Sequence, residues 1–238
     1  MLMRLDKFIS SQKPDISRSM VKELCKKGRI TVNGAVCRKS DFKIDPETAD
    51  VEIDGASVKY RKHIYIMLNK PQGVVCSTRD GESPTVLSLV PPELFREGLF
   101  PAGRLDKDTE GFVLITDDGE LAHKMLAPKS HVPKEYFVKL QKPWEQSYAD
   151  KFARGMTIDG GEECLPAEFI PDPENPHQCR LILHEGKFHQ VKRMFQSLDN
   201  KVVYLKRISI GNLVLDENLP LGQCLEILHK DVEKLLAP

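Results

Sequence analysis

The stretch PAGRLDKDTEGFVLITDDG, Pro101 to Gly119, decides how the rest of the chain is read. Gly103, Arg104 and Leu105 lead into a single carboxylate, Asp106. Phe112-Val113-Leu114-Ile115 is an apolar run without alternation, which reads as a short buried strand. Asp117-Asp118-Gly119 stops it as a turn. A strand bounded by polar turns can hold a carboxylate at the rim of a sheet, where rigid elements fix it better than a free loop would. Taken alone, an Arg-x-Asp spacing is an ordinary solvated ion pair. Asp108, Asp117 and Asp118 read as turn and surface carboxylates.

Upstream, Ile64 to Leu68 reads as a buried strand that enters the turn Asn69-Lys70-Pro71-Gln72-Gly73 and a second strand, Val74 to Ser77. This segment shapes a cleft floor rather than doing chemistry. Pro84–Leu89 and Glu93–Phe95 look like short helical turns. Downstream, Glu120–Leu126 reads as a helix, Pro133–Leu140 as an alternating strand and Ser147–Arg154 as a helix. Gly155–Pro166 is a variable excursion around Gly160-Gly161. Ala167–Ile170, Cys179–Leu183, Val202–Leu205, Leu213–Leu215 and Cys224–Leu228 follow as extended segments, and a helix from Lys230 to Leu236 closes the chain.

The first 40 residues differ from the rest. They carry ten Lys and Arg against three acids, a surplus of +7 that the remainder cancels, since the chain has 35 of each sign. A zero net charge alone argues against nucleic acid, but a basic head on a slightly acidic body suggests that the head finds a polyanion. Leu5, Phe8 and Ile9 share one face of a first short helix. Ser17 is a candidate N-cap for a second helix, on which Val21, Leu24 and Cys25 form the apolar stripe. Arg18, Lys22 and Lys26 recur at i, i+4 and i+8 and so stack on one face. Gly28 is suited to end that helix. Asn33-Gly34 between two short extended runs is a hairpin signal. Val58–His63 reads as a linker, giving domains at 1–59 and 60–238. Six scattered cysteines without a CxxC pair fit reduced thiols in a cytosol. No apolar run approaches a membrane span, and no secretory signal core is present.

As a string, GRLDxxTxGxxxxTxDG (Gly103, Arg104, Leu105, Asp106, Thr109, Gly111, Thr116, Asp118, Gly119) resembles the active-site motif of pseudouridine synthases of the ribosomal small-subunit synthase A type. LNKPxGxVCS at Leu68–Ser77, Lys134-x-Tyr136 and EGKxHQVKRMF at Glu185–Phe195 resemble further motifs of that family. The head resembles an S4 domain through Arg4, Leu5, Asp6, Lys7, Ser17, Arg18, Gly28, Arg29, Val32, Asn33 and Gly34. Members tend to begin at Met-Arg-Leu-Asp-Lys, here Met3 to Lys7, so Met1-Leu2 reads as a start-site extension.

The resemblance implies an α+β chain: a small S4-like RNA-binding domain, then a mixed, mainly antiparallel sheet with flanking helices and a central cleft. It implies Asp106 as the essential catalytic residue and Tyr136 beside it, with an aromatic face to stack an extruded pyrimidine. It also implies a basic residue pairing with the acid. Lys187, at the end of a strand with a helix starting near Phe188, is the candidate, keeping Asp106 charged. His189 and Gln190 are expected to order the turn. Arg104 either holds a phosphate, fills the space the base vacates, or forms a structural salt bridge. Lys192 and Arg193 either face solvent or contact phosphate. Arg4, Lys7, Arg18, Lys22, Lys26 and Arg29 are expected RNA contacts.

No metal-ligand cluster, phosphate-binding loop, dinucleotide fingerprint or second catalytic carboxylate motif is evident, so the reaction should need no cofactor. The expected reaction is isomerisation of a 16S rRNA uridine, number 516 in the family's reference numbering. It is expected from a cytoplasmic monomer acting on a small-subunit assembly intermediate. The alternatives are a sister enzyme of 23S rRNA and a non-catalytic S4-type assembly factor.

Overall fold

In the head, each element buries one face. The first helix, α1 (Leu5–Gln12), puts Leu5, Phe8 and Ile9 inside at i, i+3, i+4 spacing. Ser17 caps α2 (Arg18–Lys26), its hydroxyl accepting from the Met20 amide at 3.3 Å, and Val21 and Cys25 turn inward. β1 (Ile30–Val32) and β2 (Ala35–Val36) are joined by Asn33 and Gly34 at φ 51° and 77°, the positive values a two-residue hairpin needs. β3 (Val51–Ile53) pairs with β1, and β4 (Ala56–Ser57) with β3. Leu5, Phe8, Ile9, Val21, Ile30 and Val51 belong to one apolar core. Each such side chain stabilises the fold by about 1.5–3 kcal/mol.

This computed structural model describes residues 2–78, 81 and 83–236. Met1, read as part of a start-site extension, lies outside the described residues. The segment 58–63, read as a linker, is packed rather than free. Val58 is buried in the head's core and Tyr60 stacks on Phe8, centroids 5.9 Å apart. The first compact unit runs to Ile64 and adds Pro91–Leu99. There the Arg96 guanidinium donates to the carbonyls of Arg61 (3.1 Å) and Lys62 (2.8 Å).

The second unit comprises Tyr65–Val90 and the chain from Phe100 onward. Its strands are β5 (Tyr65–Lys70), β6 (Phe100–Ala102), β7 (Glu110–Thr116), β8 (Lys134–Leu140), β9 (Met156–Ile158), β10 (Glu162–Cys164), β11 (Glu168–Pro171), β12 (Gln178–Leu183), β13 (Val202–Ile210), β14 (Leu213–Val214) and β15 (Cys224–Glu226). Among the described residues nine of them make one sheet in the order β11-β12-β8-β13-β7-β5-β15, with β6 on β7 and β14 on β13. β9 and β10 form a separate hairpin. The sheet is antiparallel except for the β7–β13 ladder, and with its flanking helices gives the α+β architecture expected.

That parallel ladder depends on one glycine. Gly111 has φ 102° and lies opposite Arg207. A Cβ there would sit 2.2 Å from the Arg207 carbonyl oxygen, so no other residue fits without moving a strand.

The helices are α3 (Gly119–Leu126), α4 (Ser147–Ala153), α5 (Gln190–Gln196) and α6 (His229–Val232). Tyr148, Phe152, Phe169 and Phe195 interlock, with Phe195 5.2 Å from Phe152, and this aromatic cluster seats α4 and α5.

Several boundaries differ from the sequence reading. β13 extends to Ile210, because Arg207 and Ser209 are buried polar residues that break the apolar signal. Among the described residues Val74–Ser77 makes only one bridge, Val75 to Thr85, and so falls short of the strand expected there. Asp118 is a helix cap: it accepts from the Leu121 amide at 3.0 Å and from the Tyr65 hydroxyl at 2.7 Å. Among the described residues no helix is long and apolar enough to cross a membrane.

Candidate active site

Asp106 lies in the loop between β6 and β7, and two buried cations hold that loop from below. Lys70, fully buried at the end of β5, donates to the carbonyls of Pro71 (3.0 Å), Lys107 (3.3 Å) and Thr109 (2.8 Å). Burial pulls its pKa down, since a charge away from water needs such partners. Arg207, 3% exposed on β13, donates Nε to the Phe112 carbonyl (2.8 Å) and Nη1 to the Arg104 carbonyl (3.5 Å). The Leu105 amide donates to the Cys76 sulfur at 3.4 Å. The LNKP segment, read as cleft floor, thus anchors the loop that carries the acid.

Asp106 opens onto a cavity of about 730 Å³, whose wall includes Tyr136, Lys134, Lys187, His189, Arg104 and Arg207. The Lys192 ammonium lies 2.9 Å from one Asp106 oxygen and 2.6 Å from Asp108. His189 Nε2 lies 3.5 Å from the other Asp106 oxygen. Burial opposes the charge on Lys192, but the hydrogen bonds to Asp108 and Asp106 outweigh it and hold its pKa above the ordinary lysine value. For Asp108, burial raises the pKa and the Lys192 ammonium lowers it; the net shift is downward. Tyr136 is 8% exposed, with its ring on the cavity wall.

The cation beside Asp106 is therefore Lys192 and not Lys187, which lines the cavity but pairs with Glu162 (3.4 Å) and Glu185 (3.6 Å). The reason is where the helix begins. His189 is left-handed (φ 51°), so α5 starts at Gln190 rather than near Phe188. Gln190 folds back, its side chain accepting from the Lys187 amide (2.9 Å) and donating to Glu185 (2.7 Å). Lys187 stays on the acidic side of this turn, while the first turn of α5 presents Lys192 to the acid. Asp108 likewise joins this charge cluster instead of being a spectator.

Arg193, offered as a solvent-facing or phosphate-contacting residue, is held by Asp159 (2.5 Å) and Glu162 (2.7 Å) from the 155–166 excursion. Arg104 is exposed on the cavity wall and has no carboxylate partner among the described residues. Phe188 was not foreseen: it is 72% exposed at the cavity and stacks on His189, centroids 3.8 Å apart. The available signal was a large apolar residue set among the polar residues of Lys187-Phe188-His189-Gln190.

In the head, Arg4, Arg18, Lys22 and Lys26 line one hollow together with Arg38, Lys39, Asp6 and Asp41. Arg38 and Lys39 were not foreseen, because the fold rather than helical spacing brings them there. Arg4 pairs with Asp6 (2.7 Å) and Lys26 with Glu23 (2.8 Å), so the row is less bare than its spacing suggested. Lys7 is exposed and outside the hollow; Arg29 is paired with Asp54 instead.

Residues 64–197 match the RNA pseudouridylate synthase family, and residues 3–49 match the S4 domain. The sequence is 42% identical over 238 residues to an uncharacterized RNA pseudouridine synthase of Bacillus subtilis, covering 99% of each chain. It is 40% identical over 235 residues to the ribosomal small subunit pseudouridine synthase A of Escherichia coli, covering 98% of this chain and 100% of that one. A crystal structure of a pseudouridylate synthase superimposes with a TM-score of 0.67 at 36% identity, covering 98% of this chain and 99% of that one.

Proposed function

This chain belongs to the RNA pseudouridylate synthase family, and we propose that its substrate is a uridine of small-subunit (16S) ribosomal RNA, converted to pseudouridine. The position is the one numbered 516 in the family's reference rRNA, and the setting a small-subunit assembly intermediate in the cytoplasm, met by the protein as a monomer. The 40% identity to a small-subunit enzyme across the full length of both chains supports this target.

One observation carries the chemistry: a carboxylate on a rigid loop opens into a cavity with an ammonium 2.9 Å away and a buried tyrosine on the wall. The ammonium at that distance is a direct counter-charge to the carboxylate, which the reaction needs as nucleophile or as base. The target base must leave its stack at a cost of a few kcal/mol. Tyr136 then stacks on the uracil while the C1′–N1 bond breaks, the base turns, and C5 joins C1′. The cavity keeps water from the exposed sugar carbon. Lys192 takes the role first assigned to Lys187. Arg104, exposed next to the acid, holds a phosphate or fills the gap in the RNA stack, and the hollow in the head docks on backbone phosphates.

The test is to map pseudouridine in small- and large-subunit rRNA with and without the protein, alongside Asp106→Asn. We expect one small-subunit site to depend on the protein, and Asp106→Asn to lose it while still binding RNA. Loss of a large-subunit site instead would favour the sister activity. Retained turnover by Asp106→Asn would sink the assignment.

A further inference from the structure

The mechanism above uses the acid, its ammonium and the tyrosine; two further cavity cations, Lys134 and the loop-bracing Arg207, take no part in its chemical steps. Lys134 and Tyr136 sit two residues apart on β8 and so share a face, and both line the cavity. Arg207 lies opposite Tyr136 on β13 and lines it too. The acids nearby are already matched: Asp106 and Asp108 by Lys192, Glu162 and Glu185 by Lys187 and Arg193. Among the described residues neither Lys134 nor Arg207 has a carboxylate partner. The Lys134 ammonium donates to the Val132 carbonyl at 2.8 Å. Arg207 has two carbonyl partners, and its Nη2 is buried with none. A buried donor left over is a cost the fold does not bear without reason.

We propose that Lys134 and Arg207 form a cationic wall that carries the negative charge of the detached uracil. In it Lys134 donates to a carbonyl oxygen of the base, and Arg207 supplies fixed charge beside it. This rests on the pseudouridine-synthase reading of the site. When the C1′–N1 bond breaks, its electron pair stays on the uracil, which becomes a monoanion with charge shared between N1 and its two carbonyl oxygens. C5 then attacks C1′, the C5 proton leaves, and N1 takes up a proton, so charge and atoms balance. Donors set in advance where charge develops are the strongest lever a site of this kind has.

The electrostatics agree with this geometry. Burial, with the Arg207 charge adding to it, lowers the Lys134 pKa to about 8. The other charged or titratable groups on the cavity are Asp106, Arg104, Lys107, Lys187, His189 and the Tyr136 and Cys76 side chains; from β12 Lys134 faces Leu183. Lys134 is therefore charged at neutral pH and loses its proton just above it, so activity that needs the ammonium falls as pH rises through about 8.

The test measures single-turnover rates at saturating RNA, using small-subunit rRNA transcripts made with uridine or with 5-fluorouridine. Fluorine withdraws electrons and makes the base a better leaving group, less dependent on the wall; because its C5 carries no proton to lose, the rate compared on both transcripts is that of C1′–N1 cleavage rather than of pseudouridine formation. Lys134→Met should slow the uridine reaction about 100-fold, with RNA affinity within about twofold of wild type. Lys134→Arg should recover most of the rate and move the alkaline limb upward. The Lys134→Met deficit should shrink to about tenfold or less on the fluorinated transcript. An equal deficit on both transcripts, or a loss confined to RNA affinity as for a phosphate contact, would overturn the proposal. Wild type inert on every ribosomal transcript would overturn the underlying reading and the wall with it.

Discussion

The positive charges of the head and those of the catalytic unit work in opposite ways. In the head, Arg18, Lys22 and Lys26 are exposed, spaced one helical turn apart, and bound to nothing more distant than Glu23. In the catalytic unit, Lys70, Lys192 and Arg207 are buried or half-buried, and each is committed to acceptors from other parts of the chain. Exposed charge is screened by salt, acts through number, and is individually expendable. Buried charge is scarcely screened, acts through position, and is costly to misplace. The head therefore suits a ligand met through its regular backbone, and the cavity suits one base held in one orientation.

The sharpest break in the comparison comes from the acid. Asp106→Asn should remove pseudouridine formation altogether while RNA binding, measured by filter retention or anisotropy, stays within about twofold of wild type. Next is its partner. Lys192→Met should lower the single-turnover rate by about 100-fold, with affinity nearly unchanged. If affinity falls instead, Lys192 is a phosphate contact and belongs with the head's kind of charge.

Changing Arg18, Lys22 and Lys26 together to Ala should invert that pattern. The rate at saturating RNA should hold, while affinity drops and the slope of log affinity against log salt flattens by about 2 to 3. An unchanged slope would show that the hollow does not dock on phosphates. Lys187→Met should matter least, within about threefold in rate, because its ion pairs lie outside the acid's reach.

A last contrast concerns stability. The folded protein holds the Lys134 pKa near 8, below the ordinary 10.5, so it prefers the neutral amine. The charged form therefore costs stability, in full below about pH 8 and not at all above 10.5. Lys134→Met should raise the melting temperature at pH 7, and the gain should fade as pH approaches 10.5. A gain that does not change with pH would locate the effect in packing rather than charge.

Local patterns in the sequence carried much of this. Ser17 before an amphipathic run, Asn33-Gly34, the apolar run after Asp106 and the alternation from Pro133 all act over a few residues, and each element appears within a residue or two of where those patterns put it. The cation beside the acid was not legible in the same way. Choosing Lys192 over Lys187 turns on a single left-handed residue, His189, and on Gln190 folding back. Val191, Met194 and Phe195, spaced as an inward face, were the usable hint that the helix starts late. Arg207 was hidden because an arginine in a strand reads as solvent-facing, and only the tertiary fold shows carbonyls above it. Asp118 was in principle readable, since Asp before Gly-Glu-Leu is a helix start.

The Asp106–Lys192 contact spans 86 positions of sequence, and the Phe112–Arg207 contact 95. A ribosome making this protein releases the acid long before the residues that charge and brace it. Until α5 and β13 have emerged and β13 has paired beside Gly111, the growing polypeptide holds the acid's loop without its pocket. The pocket thus comes together only after those 86 to 95 further residues have been added, although the chain is made beside ribosomal RNA.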